Sequence, residues 1–196
     1  MAVNNPVPPP VRVWIATLAQ ADLTLRRWLD PREMDRFLSY ESQADQARFL
    51  LGAAMLRSVV GQELGMRPED VPVDRKCTNC GAWHGRPRVR GSSLQLSVSH
   101  AGLLVVFALA IEGPVGIDVE RIRSSREIVE SWTQKEARFK AGNGAGLVVH
   151  ALPVLWPGHV ISVAHAKGAT LEIHDPGIGP SGATTLLDIW RLVAAR

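Results

Sequence analysis

The apolar and polar positions divide the chain into segments of clear period and one long stretch that has none. Val11 to Leu18 is apolar and β-favouring and predicts a first strand. Asp35 to Glu41 predicts a short helix and Ala44 to Leu64 a long one. In the long helix Phe49, Leu56, Val59, Val60 and Leu64 supply apolar positions, which leaves Arg48 and Arg57 available for other work. Gly65 is the expected stop, with Pro68 just beyond it. From Val71 to Ser92 the chain is rich in Pro, Gly, Cys and Arg and reads as loop.

Three strands are expected next, Leu94 to Ser99, Leu103 to Ala110 and Val115 to Arg121, the last two joined by the Glu112-Gly113-Pro114 turn. A helix follows from about Ser125 to Ala141 and ends in the glycine-rich breaker Gly142 to Gly146. Leu147 to Leu155, His159 to Ala166 and Ala169 to His174 read as strands, and Thr184 to Ala195 as a helix or a final strand. This order implies an α+β class with antiparallel sheets, built as two similar halves with one long helix each. Residues 1–10 are expected to be poorly ordered, 11–112 to form an N-terminal half and 113–196 a C-terminal half. No sequence repeat links the halves, so their similarity is an expectation about architecture alone.

Bulk properties narrow the function classes. At 196 residues the chain is long enough for a sizeable core, and no apolar run reaches the roughly 20 residues that span a bilayer. Met1 to Pro6 lacks the basic start and apolar stretch of a signal peptide, so a cytoplasmic, membrane-free protein is expected. A net charge of +3 and a pI of about 9.2 are too weak to argue for nucleic acid without a clustered patch. They suit anionic partners such as a phosphorylated cofactor or an acidic protein, and the many arginines suit phosphate.

The candidate chemistry lies in two nearby segments. On the Val115 to Arg121 strand, Asp118 and Glu120 share a face, roughly 7 Å apart. Trp132, Glu136 and Lys140 fall on one stripe of the following helix. If that stripe faces the strand, three carboxylates converge beside a lysine, a donor set for a hard cation such as Mg²⁺. The plainer alternatives are a solvated edge strand and a surface Glu136–Lys140 pair. The only cysteines, Cys77 and Cys80, are followed by His84. Reduced thiols in a loop are preferred to zinc, because a structural site needs four ligands and a distant residue such as His100 would have to complete it.

A third cluster, His84-Gly85-Arg86-Pro87 followed by Ser97-Val98-Ser99-His100, precedes Gly116-Ile117-Asp118-Val119-Glu120 and Trp132 to Lys140. In this order the elements resemble the Sfp-type 4′-phosphopantetheinyl transferases over about Arg48 to Ala166. The resemblance implies two α+β halves in a pseudo-twofold arrangement with coenzyme A between them. It implies Mg²⁺-dependent transfer of the phosphopantetheine arm to a serine of an acyl or peptidyl carrier protein, releasing 3′,5′-ADP, by a protein that a monomer suffices to form. Asp118, Glu120 and Glu136 would be metal ligands, Glu136 and Lys140 catalytic, and Arg48, Arg86, Ser99 and His100 would bind coenzyme A. Two departures stand out. Ala53 occupies the middle arginine position of the family's Arg-Phe-x-x-x-Arg-x-x-x-Arg helix. Only Arg121 to Ser131 separate Glu120 from Trp132, where relatives carry a longer insertion. They motivate the alternative of a shortened, non-catalytic relative that binds coenzyme A or a carrier protein.

Overall fold

A computed structural model of the chain describes residues 8–153 and 156–174, so the expectations for residues 1–7 and for the 184–195 tail lie outside the described residues. Helix α1 spans Pro31–Ser39, beginning earlier than the apolar pattern suggests. A capping box sets this start: Asp30 Oδ1 accepts from the Glu33 amide at 2.9 Å, and Glu33 Oε2 accepts from the Asp30 amide at 3.2 Å. Pro31 then sits where its missing N–H costs nothing. Helix α2, Gln43–Leu64, starts at the Ser42 cap and stops at Gly65, whose φ of 65° is the left-handed conformation that glycine adopts without strain.

From Leu50 to Gly61, α2 is buried on every side. Arg57, expected to be available, is instead 1% exposed. It donates to Glu33 at 2.6 Å and Asp30 at 3.0 Å, and to the carbonyls of Pro68, Glu69 and Val71 at 3.0–3.4 Å. One guanidinium therefore ties α1, α2 and the loop after α2 together. Burial holds the Glu33 carboxyl above its usual range, against the opposing pull of Arg57.

One sheet has the order β4-β5-β1-β9, from β1 (Val11–Thr17), β4 (Gln95–Ala101), β5 (Leu104–Ala110) and β9 (Leu171–His174). Only the β1–β9 pairing is parallel, with Val11 opposite Leu171. A second, antiparallel sheet has the order β6-β8-β7, from β6 (Val115–Arg121), β7 (Leu147–Ala151) and β8 (His159–Ala166). The strand–helix–hairpin sequences β1-α2-β4-β5 and β6-α3-β7-β8, with α3 at Arg126–Lys140, yield the same local orders, β4-β5-β1 and β7-β8-β6. The stretch read as loop holds a hairpin, β2 (Val73–Lys76) and β3 (Trp83–Val89). A register shift between Asp74 and Lys76 breaks its alternation, which is why no strand period was visible.

The layers run α2, first sheet, second sheet, α3. Leu51, Met55, Val105, Phe107 and Leu109 fill the space between α2 and the first sheet. Val13, Ile15, Val106, Ile117 and Val163 fill the space between the sheets. Helix α3 lies on the outer face of the second sheet through small residues, Ala137, Ala141 and Ala164. Gly116 shows how close it lies, since a Cβ there would come within 2.0 Å of the Ala137 carbonyl oxygen. Among the described residues no helix is long and apolar enough to cross a membrane.

Replacing Arg57 by Met leaves Glu33 buried without its cation and should cost about 3–5 kcal/mol in urea unfolding. Adding Glu33→Leu should recover part of that loss. Gly116→Ala should lower stability by about 1–3 kcal/mol, because neither β6 nor the α3 backbone can yield locally. Thermal melting that matches the parent would contradict the close approach of α3.

Candidate active site

The two sheets meet edge to edge at β4 and β6, and polar side chains make the join. Ser97 Oγ accepts from the Ile117 amide at 3.0 Å. From β3, Arg86 donates to the Leu96 carbonyl at 2.9 Å and to the Val115 carbonyl at 3.0 Å. Arg86, expected to contact phosphate, thus spends these donors on the seam.

One step along the seam lies Asp118, which is 4% exposed. Its Oδ1 accepts from Ser99 Oγ at 2.8 Å and from Lys140 Nζ at 2.6 Å, while Lys140 also donates to Ser99 Oγ at 3.1 Å. Asp118 Oδ2 is buried with no hydrogen-bond partner. Strand and helix therefore meet despite the short connection: Ser125 caps α3 by accepting from the Ile128 amide at 3.4 Å, and α3 returns along β6. The Trp132–Glu136–Lys140 stripe slants across the helix. Trp132 is exposed, whereas Glu136 and Lys140 are half-buried. Among the described residues the carboxylates of Asp118, Glu120 and Glu136 do not gather within 4.8 Å of one another; the one group of metal-ligating side chains that does is Cys77, Cys80 and His84.

Two adjoining cavities open beside this network and share Arg48 and His100. The first, about 120 Å³, is lined by Arg36, Arg48, Arg75, His84 and His100 above Gly52 and Ala53, with no acidic residue. The second, about 260 Å³, carries Glu120, Arg121, Arg123 and Asp45. Arg48 is held by the Gly102 carbonyl at 2.8 Å and by Asp45 at 2.6 Å. His100 keeps open surface, yet the crowded groove around it still lowers its imidazole, and the charges of Arg48 and Lys140 push the same way. Burial likewise works against the Arg75 cation, whose Nε is buried without a hydrogen-bond partner.

Such a pocket suits an anion with several oxygens, which would satisfy Arg75 and relieve the repulsion among the cations. Arg36 and Arg75 were missed from sequence. Arg36 belongs to a helix whose start the apolar pattern misplaces, and Arg75 to the stretch read as loop. Both stand over Ala53, the position where the family's helix carries an arginine. Asp118, Ser99 and Lys140 form one cluster and Arg48, His100 and Glu120 line the adjoining groove, while Glu136 lies four residues before Lys140 on α3.

No curated protein matches the chain. A family model described as 4′-phosphopantetheinyl transferase, N-terminal, matches residues 12–112, just over half of the 196. The match begins in β1 and runs past β5, so it takes in α2, the hairpin and the Ser97 to His100 strand that frame the basic pocket. On that match the chain belongs to the 4′-phosphopantetheinyl transferase family.

Proposed function

We propose that the chain transfers the 4′-phosphopantetheine arm of coenzyme A to a serine of an apo acyl or peptidyl carrier protein. What supports this most is the cavity that gathers Arg36, Arg48, Arg75, His84 and His100 with no acidic residue, beside the Asp118–Lys140 pair. Coenzyme A carries a 3′-phosphate and a pyrophosphate, and the cavity would hold the first while the second reaches Asp118 and Lys140. The matching strand orders support a pseudo-twofold relation between residues 11–112 and 113–196, although β9 returns to pair with β1.

The donor set fits a magnesium ion, since the unpartnered Asp118 Oδ2 is a hard oxygen ligand awaiting a partner. Asp118, Glu120 and Glu136 would hold the ion, which supplies neutralising charge to the pyrophosphate oxygens. In the reaction the carrier serine Oγ forms a bond to the β-phosphorus, and the bond from that phosphorus to the 3′,5′-ADP oxygen breaks. Glu136, half-buried and four residues before Lys140 on α3, takes the serine proton. Lys140 Nζ meets the charge on the departing ADP phosphate. Little covalent chemistry falls to the protein, so positioning and charge carry the rate. Ile128, Trp132 and Phe139, which are 64%, 54% and 68% exposed, form an apolar stripe beside Glu136 that would face the carrier.

Two observations favour the second reading, a relative that binds without turnover: Lys140 already pairs with Asp118, and the three carboxylates stand apart. Incubation with coenzyme A, Mg²⁺ and a panel of apo carriers separates the two. Transfer predicts a phosphopantetheine mass gain on a carrier serine. Calorimetric binding of coenzyme A with no such gain, while a known transferase modifies the same panel, selects the second reading.

Asp118→Asn and Glu136→Gln should each lower kcat about a hundredfold or more. Full activity in either would remove that residue from the mechanism. Arg75→Ala and Arg36→Ala should each raise KM for coenzyme A about tenfold, the loss of one charge-assisted contact, with less change in kcat. An unchanged KM in both would move the 3′-phosphate out of this cavity.

A further inference from the structure

The turn of the β2–β3 hairpin brings together the one cluster of soft metal ligands among the described residues. Cys77, Cys80 and His84 present ligand atoms that all lie within 4.8 Å of one another, and Cys80 Sγ stands 3.0 Å from His84 Nε2. The backbone is shaped around them. The Cys77 amide donates to the Ala82 carbonyl at 2.7 Å, and the Gly81 amide donates to the Cys77 carbonyl at 2.9 Å. Gly81 has a φ of 75°, which lets the chain curl back immediately after Cys80.

We infer that Cys77 Sγ, Cys80 Sγ and His84 Nε2 bind one zinc ion, with water in the fourth position. Two thiolates and an imidazole are soft and borderline donors, which select zinc over the hard cations that suit Asp118. Zinc holds sulfur at about 2.3 Å and nitrogen at about 2.0–2.1 Å, so its tetrahedral ligands stand roughly 3.5 Å apart, a spacing these three reach by small side-chain rotations. Binding releases the two thiol protons, and Zn²⁺ with two thiolates is neutral. The ion therefore adds no charge to the basic cavity that His84 lines.

Its contribution is geometric. It closes the tip of a hairpin that otherwise has only two short strands, and it fixes the ring of His84 at the cavity wall. The next residue, Gly85, crosses so close to β2 that a Cβ would meet the Lys76 carbonyl oxygen at 2.9 Å. Arg86 then departs toward the β4–β6 seam. A fixed turn sets the path of that whole segment.

Native mass spectrometry of the full chain, purified with reductant and without added zinc, should show the mass of the protein plus one zinc less two protons. Cobalt(II) added to metal-stripped protein should produce a thiolate-to-metal charge-transfer band and strong visible bands of tetrahedral cobalt. The Cys77→Ser/Cys80→Ser variant should lose both signatures. If that variant fails to fold, the wild-type mass and cobalt spectra still decide. A metal-free mass that persists after equimolar zinc, a Cys77–Cys80 disulfide that survives reductant, or equal zinc in a folded double variant would each overturn the site. Coenzyme A and carrier protein take no part in these measurements, so their result is independent of the transferase reading.

Discussion

The structure turns on how two sheet edges are joined without a backbone ladder. Edge strands carry unpaired amides and carbonyls that must find partners when covered. At the β4–β6 seam those partners are side chains: the Ser97 hydroxyl for the Ile117 amide, and the Arg86 guanidinium for the carbonyls of Leu96 and Val115. A ladder would bring the strands to the usual inter-strand spacing and close the space between them. Side-chain bridges keep the edges apart, and that separation gives the Asp118 carboxylate a place between Ser99 and Lys140. Residues that resemble a binding motif are therefore also what holds the halves together.

Electrostatics reinforce the same seam. Asp118 is almost fully enclosed, and a buried carboxylate is tolerated only with a cation or hydrogen bonds. Lys140 and Ser99 supply both on one oxygen and leave the other without a partner. The buried Arg57 spreads its donors over two carboxylates and three carbonyls, yet Glu33 Oε1 is likewise left without a partner. Both clusters therefore centre on a buried charge and leave one carboxylate oxygen open. They differ in what lies beside that oxygen: Asp118 adjoins Ser99 and Lys140 next to the cavities, whereas Glu33 faces the interior of the α1–α2 packing.

Legibility in the sequence followed the mechanism by which each element forms. β4, β5 and β6 are apolar, β-favouring segments and α3 is helical in composition, and their predicted bounds agree with the structure to within a few residues. α1 begins through a capping box, which apolar periodicity does not register. β2 and β3 are set by a register shift and by Gly85 pressed against β2, so no alternation survives. Arg57 was misplaced because α2 is buried all round between Leu50 and Gly61, and a helix without a solvent face gives no rule for which arginine is free. The linear motifs named Ser99, His100, Asp118 and Lys140 as candidates, and the fold brings Ser99, Asp118 and Lys140 into contact. Arg36 and Arg75 join them only through tertiary contact across α1, α2 and the hairpin.

The short β6–α3 connection follows from matched lengths. β6 has 7 residues and α3 has 15, which at about 3.3 Å and 1.5 Å per residue gives elements of roughly equal length. A helix that returns antiparallel after a tight turn then ends above the start of the strand. That is where Ala137 and Ala141 press on Gly116 and where Lys140 reaches Asp118. One turn back along α3 is about 6 Å, and two residues on along β6 is about 7 Å. The two steps run in the same direction, so the register that pairs Lys140 with Asp118 carries Glu136 toward Glu120. An insertion between strand and helix is therefore not needed for α3 to return onto β6, since Lys140 already reaches Asp118 across the short connection.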